Sequence, residues 1–205
     1  MKKNLTILFV AVLLTVQAEA QSIFGVSAVV GGNISQVTGD QEAGFNKIGL
    51  HAGLDASIYL SPRTEAGIGI MYDQRGSRSS SSFENTGFPF KIKLDYVTVP
   101  VTFTIKDWFD EEAGFYKMHF TGGLAYGRLI EASQSGGALT DRCLDAIAQN
   151  DLSYLLGVTF YATENWGFTA YHLRSLFKSN TERDFGSCTE NLYLYQWTFR
   201  AEYRF

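Results

Sequence analysis

Apolar and polar residues alternate along most of this chain, and the pattern is plainest at its end. Tyr193, Tyr195, Trp197, Phe199, Ala201, Tyr203 and Phe205 occupy every second position, with Leu192, Leu194, Gln196, Thr198, Arg200, Glu202 and Arg204 between them. A two-residue period sends successive side chains to opposite faces of a β-strand, so the run predicts a strand with one apolar and one polar face. Similar runs recur upstream. Phe24, Val26, Ala28 and Val30 oppose Gly25, Ser27 and Gly31; Ile48, Leu50, Ala52, Leu54, Ala56 and Ile58 oppose Gly49, His51, Gly53, Asp55 and Ser57. Ala66, Ile68, Ile70 and Tyr72 oppose Glu65, Gly67, Gly69 and Asp73.

The second half continues in the same way. Val97, Val99, Val101, Phe103 and Ile105 oppose Thr98, Thr102 and Thr104; Tyr116, Met118, Phe120, Leu124 and Tyr126 oppose Lys117, His119, Thr121 and Gly123. Tyr154, Leu156, Val158 and Phe160 oppose Ser153, Gly157 and Thr159. A seventh strand, around Trp166 to Phe177, fits less cleanly because Tyr171, Leu173 and Phe177 fall on its nominally polar face. Pro100 is also awkward, since proline removes a ladder donor and marks a bulge or an edge. The total is eight strands.

The connections between them alternate in length. Ser61-Pro62-Arg63, Asp107 to Gly114 and Thr163-Glu164-Asn165 are the shorter set; Ser35 to Asn46, Gly76 to Phe90, Ala132 to Asn150 and Ser179 to Glu190 are the longer. One end of the molecule is therefore trimmed and the other carries large polar loops, the asymmetry of bacterial outer-membrane barrels. The expected fold is all-β: an eight-stranded antiparallel up-and-down transmembrane β-barrel. A soluble lipocalin-like carrier also has eight strands, with its apolar face turned inward around a ligand. Three features favour the membrane form. The polar face is rich in glycine and in both charges, aromatic residues gather near strand ends as interfacial girdles do, and the chain closes on an aromatic residue. That ending, through Trp197, Phe199, Ala201, Tyr203 and Phe205, resembles the insertion signal read by the barrel assembly machinery.

Composition narrows the class and the N-terminus sets the compartment. The 205 residues are 45% hydrophobic and 15% aromatic, too apolar for a disordered chain, yet mean hydropathy is only -0.05. Met1-Lys2-Lys3, the apolar stretch Leu5 to Val16 and Ala18-Glu19-Ala20 read as a secretory signal peptide, residues 1–20, cleaved to leave a barrel domain over 21–205. No stretch, this one included, reaches the ~18 apolar residues of a membrane helix. A formal net charge of -4 argues against nucleic acid, which needs clustered Lys and Arg. The expected location is the cell outer membrane, with its lipid as the first partner and the assembly machinery as a partner during insertion.

Several motifs give the chain a family likeness. They are Gly31-Gly32-Asn33-Ile34-Ser35, the run Gly44 to Leu50, Tyr72 to Ser77, and Leu94-Asp95-Tyr96-Val97-Thr98-Val99-Pro100. With them the chain resembles the small outer-membrane β-barrels of Bacteroidota, the porin-family or PorT-like proteins. The last motif matches that family's Leu-x-Tyr-x-x-x-Pro strand, which accounts for Pro100. The resemblance implies the fold; its founding member resembles an accessory of protein secretion.

An eight-stranded bore is just wide enough for side chains to fill. The polar face places His51, Asp55, Glu65, Asp73, Arg75, Lys117, His119, Arg200, Glu202 and Arg204 inside, where charges must pair or be hydrogen-bonded. The expectation is a polar network that plugs the barrel. Catalysis is not expected: no Gly-x-Ser-x-Gly elbow or His-Glu-x-x-His helix occurs, and His51 and Asp55, two steps along one face, stand about 13 Å apart. His51, His119 and His172 lack metal-ligand spacing, the acidic loop residues Asp40 and Glu42 read as solvated charge, and no cofactor is implied.

Cys143 and Cys188 fall in the third and fourth long loops, at the same end. An exported compartment permits oxidation, so a Cys143–Cys188 disulfide is expected, worth roughly 4 kcal/mol by the chain-entropy model. The long loops also carry Arg75, Arg78, Phe83, Phe88, Asp141, Arg142, Arg183, Asp184 and Phe185, a mixture suited to protein or glycan contact. The expected function is a structural or interaction barrel, accessory to secretion or surface assembly. A narrow channel or a soluble carrier are the alternatives.

Overall fold

The structure is a computed structural model that describes residues 23–38, 47–78, 91–135, 148–177 and 193–205. Eight strands follow in chain order: β1 (Phe24–Thr38), β2 (Lys47–Ser61), β3 (Thr64–Arg78), β4 (Lys91–Asp110), β5 (Phe115–Ser135), β6 (Asn150–Tyr161), β7 (Trp166–Ser175) and β8 (Tyr193–Arg204). Each pairs antiparallel with its sequence neighbours, and β1 pairs with β8, from Ser27 opposite Arg204 to Thr38 opposite Tyr193. The barrel is closed, so no strand edge remains.

Alternation decides the two surfaces. Val26, Val30, Leu50, Leu54, Ile68, Ile70, Val101, Phe103, Phe120, Leu124, Leu156 and Phe199 point outward and are exposed, while Asn33, His51, Asp73, Thr98, Ser153 and Thr198 are buried inside. This is the inverse of a soluble carrier, whose apolar face lines its cavity. Threonines facing one another across the ladder tie strands inside the bore: Thr104 to Thr121 and Thr159 to Thr169, both with hydroxyls 2.9 Å apart, each pair contributing roughly 0.2–1 kcal/mol.

Several elements differ from the sequence expectation. The awkward seventh strand is regular: Tyr171 and Leu173 point inward and form a small apolar cluster with Ala125 and Leu155, so the bore is not polar throughout. Phe177 lies beyond the end of β7. The connection expected over Asp107 to Gly114 is half strand, because β4 runs to Asp110 and only the four residues before Phe115 of β5 form the turn. Trp108 breaks the alternation there with a φ of 53°, and its ring packs on outward Phe160 with centroids 6.4 Å apart.

At the opposite end the strands run on into what the sequence suggests are loops. β3 reaches Arg78 and β5 reaches Ser135, and an extra residue on β5 interrupts the register between Asp95 and Tyr96. Arg75 is therefore a residue of β3 facing the bore, not of a loop. Pro100 sits within β4 opposite Ala125 of β5. On its other side the β3–β4 ladder lapses between Ile68–Val101 and Met71–Thr98 and resumes in the same register, as a missing donor requires. The segment 1–20, the loop residues Asp40, Glu42, Phe83, Phe88, Asp141, Arg142, Arg183, Asp184 and Phe185, and both cysteines lie outside the described residues.

Candidate functional site

The polar face of the strands meets itself across the bore, and two networks result. The one nearer the long connections centres on β3. The Arg75 guanidinium donates to Asp151 Oδ2 at 2.9 Å and to the Thr98 hydroxyl at 2.9 Å, with Asp73 Oδ2 at 3.5 Å. Ser153 donates to Asp151 at 2.6 Å. Asp73 Oδ1 receives Gln196 Nε2 at 3.1 Å and lies 2.8 Å from His51 Nδ1. The Tyr171 hydroxyl is 3.3 Å from the same histidine nitrogen, and the Tyr96 ring lies under the Arg75 guanidinium at 4.8 Å. Arg75, Asp73 and His51 are each at most 1% exposed, so these charges are held by one another rather than by water.

The second network, nearer the short turns, balances three cations against three carboxylates. Glu65 takes Lys106 at 2.9 Å and Arg204 at 3.1 Å, and Arg200 takes Asp55 at 3.0 Å and Glu202 at 3.4 Å. Tyr161 donates to Glu202, which also receives the Thr169 hydroxyl at 3.2 Å. Aromatic rings line the cations: Lys106 stands over Tyr59 at 4.4 Å and Arg204 over Tyr161 at 5.0 Å. His119 packs its ring on Tyr161 with centroids 4.5 Å apart.

Between the networks lies a cavity of about 70 Å³, reached by Asp73, Thr98 and Tyr171 from one side and by Glu65, His119 and Glu202 from the other. A wider recess of about 410 Å³ opens at the turn end beside Tyr59, Phe109, Tyr116 and Glu164. His119, Tyr161 and Arg204 line both spaces. Such a bore can hold water and a handful of charges in fixed positions. Among the described residues, no group of three His, Cys, Asp or Glu side chains is disposed to hold a metal ion. His51 is sealed against Asp73 and Tyr171, out of reach of a substrate.

The expected interior residues separate into these networks. His51, Asp73 and Arg75 meet in the first; Asp55, Glu65, Arg200, Glu202 and Arg204 meet in the second, with His119 beside them. Lys117 joins neither. It pairs with Asp110 across the β4–β5 turn, and that bond, with the Ala113 and Glu112 backbone N–H groups, holds the Asp110 carboxyl below its ordinary pKa. Asp151, Tyr161 and Lys106 are among the members that the sequence reading does not place inside. His172 stands on the outer face, its ring 4.8 Å from that of Trp197 and 6.0 Å from that of Tyr154.

Of the terminal aromatic run, Trp197, Phe199 and Phe205 are exposed on the lipid side. At the turn end Tyr203 packs between Trp166, at 5.1 Å, and Phe205, at 5.3 Å, an aromatic girdle at the level where such rings sit.

A family model described as "Outer membrane protein beta-barrel domain" matches residues 17–205. No curated protein sequence matches the chain. Among solved structures, the chain is similar to Ail, the attachment invasion locus protein of Yersinia pestis, at 16% identity and a TM-score of 0.49, covering 88% of this chain and 99% of that one. It is also similar to Neisserial surface protein A, at 13% identity and a TM-score of 0.44 over 89% and 97% of the two chains. OprG from Pseudomonas aeruginosa aligns at 9% identity and 0.44 over 89% and 96%.

Proposed function

This chain belongs to the outer membrane protein beta-barrel domain family and sits in the outer membrane, and from that premise we propose that it is a structural and interaction barrel. In this reading the barrel is a scaffold inserted by the barrel assembly machinery, and its four long connections present a protein-contact surface that serves secretion or surface assembly. The resemblance to PorT-like barrels of Bacteroidota belongs to the same proposal.

The observation that carries it is the filled bore. The Arg75–Asp73–Asp151 lattice and the Lys106–Glu65–Arg204 network place paired side chains from four strands across the interior, which supports a scaffold over a conduit. With the inside committed to holding the barrel together, the long loops are left as the working surface, where function on a rigid scaffold concentrates.

Affinity capture from native outer membranes tests this. The full chain should retain one or more secretion or assembly components, and shortening the connections over 136–147 and 178–192 should release them while the barrel still inserts. Capture that ignores the loops, or no specific capture, would overturn the reading.

A further inference from the structure

The outer wall at the loop end is not uniform around the barrel. On β1 and β2 it is apolar, with Ile48 and Leu50 exposed. On β4 Lys93 Nζ lies 2.8 Å from Asp95, with Lys91 exposed at the strand's tip. Across β5 to β8 two exposed arginines, Arg128 and Arg174, stand with no carboxylate partner among the described residues.

Both are nonetheless held in place. Arg128 donates through one nitrogen to Asn150 Oδ1 at 2.7 Å and through another to Gln149 Oε1 at 2.8 Å. Tyr126 donates to the same Asn150 oxygen at 2.8 Å, which fixes the amide. Arg174 lies over the Tyr195 ring at 4.8 Å, and Tyr154 is its partner across the β6–β7 ladder. Amides and aromatic rings orient a guanidinium without neutralising it, so each keeps its full charge and spare N–H donors. Ordering the side chain beforehand lowers the entropy lost on binding. A guanidinium is also the cation whose fork matches a phosphate.

The position matters as much as the charge. Both arginines lie just above the lipid-facing Leu124 and Leu156, among tyrosines of the kind that mark the headgroup level. On β6, their ladder partners Asn150 and Tyr154 are four residues apart, and β5 and β7 lie two strand spacings apart on either side of it, which sets the two backbone positions roughly 16 Å apart along the wall. That separation suits a wide headgroup with two distant phosphates better than one with a single phosphate. We propose that this sector of the barrel wall is a binding surface for a phosphorylated glycolipid of the outward leaflet, with Arg128 and Arg174 each taking a phosphate. The proposal rests on the outer-membrane location and not on any role of the loops.

Native mass spectrometry of the full chain in neutral detergent tests it, with bisphosphorylated lipid A, dephosphorylated lipid A and phosphatidylglycerol as separate probes. The intact chain should retain bisphosphorylated lipid A, and R128Q/R174Q should need at least about tenfold more of it, as loss of charged hydrogen bonds implies. Dephosphorylated lipid A should bind both proteins alike and weakly. Circular dichroism establishes that the variant keeps its barrel; R128K/R174K, which preserves charge without the fork, should fall between. Equal retention by the variant and the intact chain would overturn the proposal. So would phosphatidylglycerol binding as tightly with the same dependence on the arginines.

Discussion

Arg75 joins three strands through one planar group, reaching Asp73 on its own strand, Thr98 on β4 and Asp151 on β6. Removing one partner of a buried pair leaves the others charged and without a counter-ion, which costs about 3–5 kcal/mol. Arg75→Ala should therefore lower barrel stability by that amount, read from urea unfolding in lipid vesicles. Arg75→Lys should recover only part of it, because an ammonium cannot fork to Asp151 and Thr98 together. An unchanged unfolding midpoint in Arg75→Ala would contradict the lattice described here. Residue identity and parity make half of this network legible in the sequence: they give the face of His51, Asp73 or Arg200. They do not give partners, because Asp73 meets Gln196 and Arg75 meets Asp151 only after closure brings distant strands to one level. Tyr161 escapes because it lies just past the alternating run that ends at Phe160, and Tyr171, which parity puts on the polar face, reads there only as a misfit. Both rings fill the bore, with Tyr161 under Arg204 and Tyr171 under Arg200.

At the scale of the strand, alternation reads well until the backbone departs from the pleat. Trp108 with its positive φ and the extra residue on β5 opposite Asp95 and Tyr96 each break the two-residue period. A sequence pattern therefore ends a strand there although the ladder continues. β7 obscured itself differently, by placing apolar Tyr171 and Leu173 on the inner face. Gly76 is a position where backbone geometry constrains residue type. Its φ is +141°, and a Cβ there would run into the Ile92 carbonyl oxygen of β4. Gly76→Ala should destabilise the barrel by about 1–3 kcal/mol, measured by the same unfolding assay. The nearby substitution Ser77→Ala retains ordinary strand geometry and should cost less.

Over the whole molecule, the near-zero hydropathy resolves into an apolar wall, a charged interior and polar connections. The two ends differ as strongly as the two faces. At the turn end a recess of about 410 Å³ opens beside aromatic rings; toward the loop end Arg75, Tyr96 and their partners close the interior with scarcely any exposure. This division explains why a sequence can declare the fold and compartment of such a barrel without declaring its biological role. The wall is set by a simple periodic rule, but loop chemistry follows none.

A bore closed by its own side chains carries no ions, and planar-bilayer recording of the purified full chain in concentrated potassium chloride measures this. A flat baseline is expected after confirmed insertion, without discrete current steps. Reproducible steps of uniform size from the unmodified protein would contradict it.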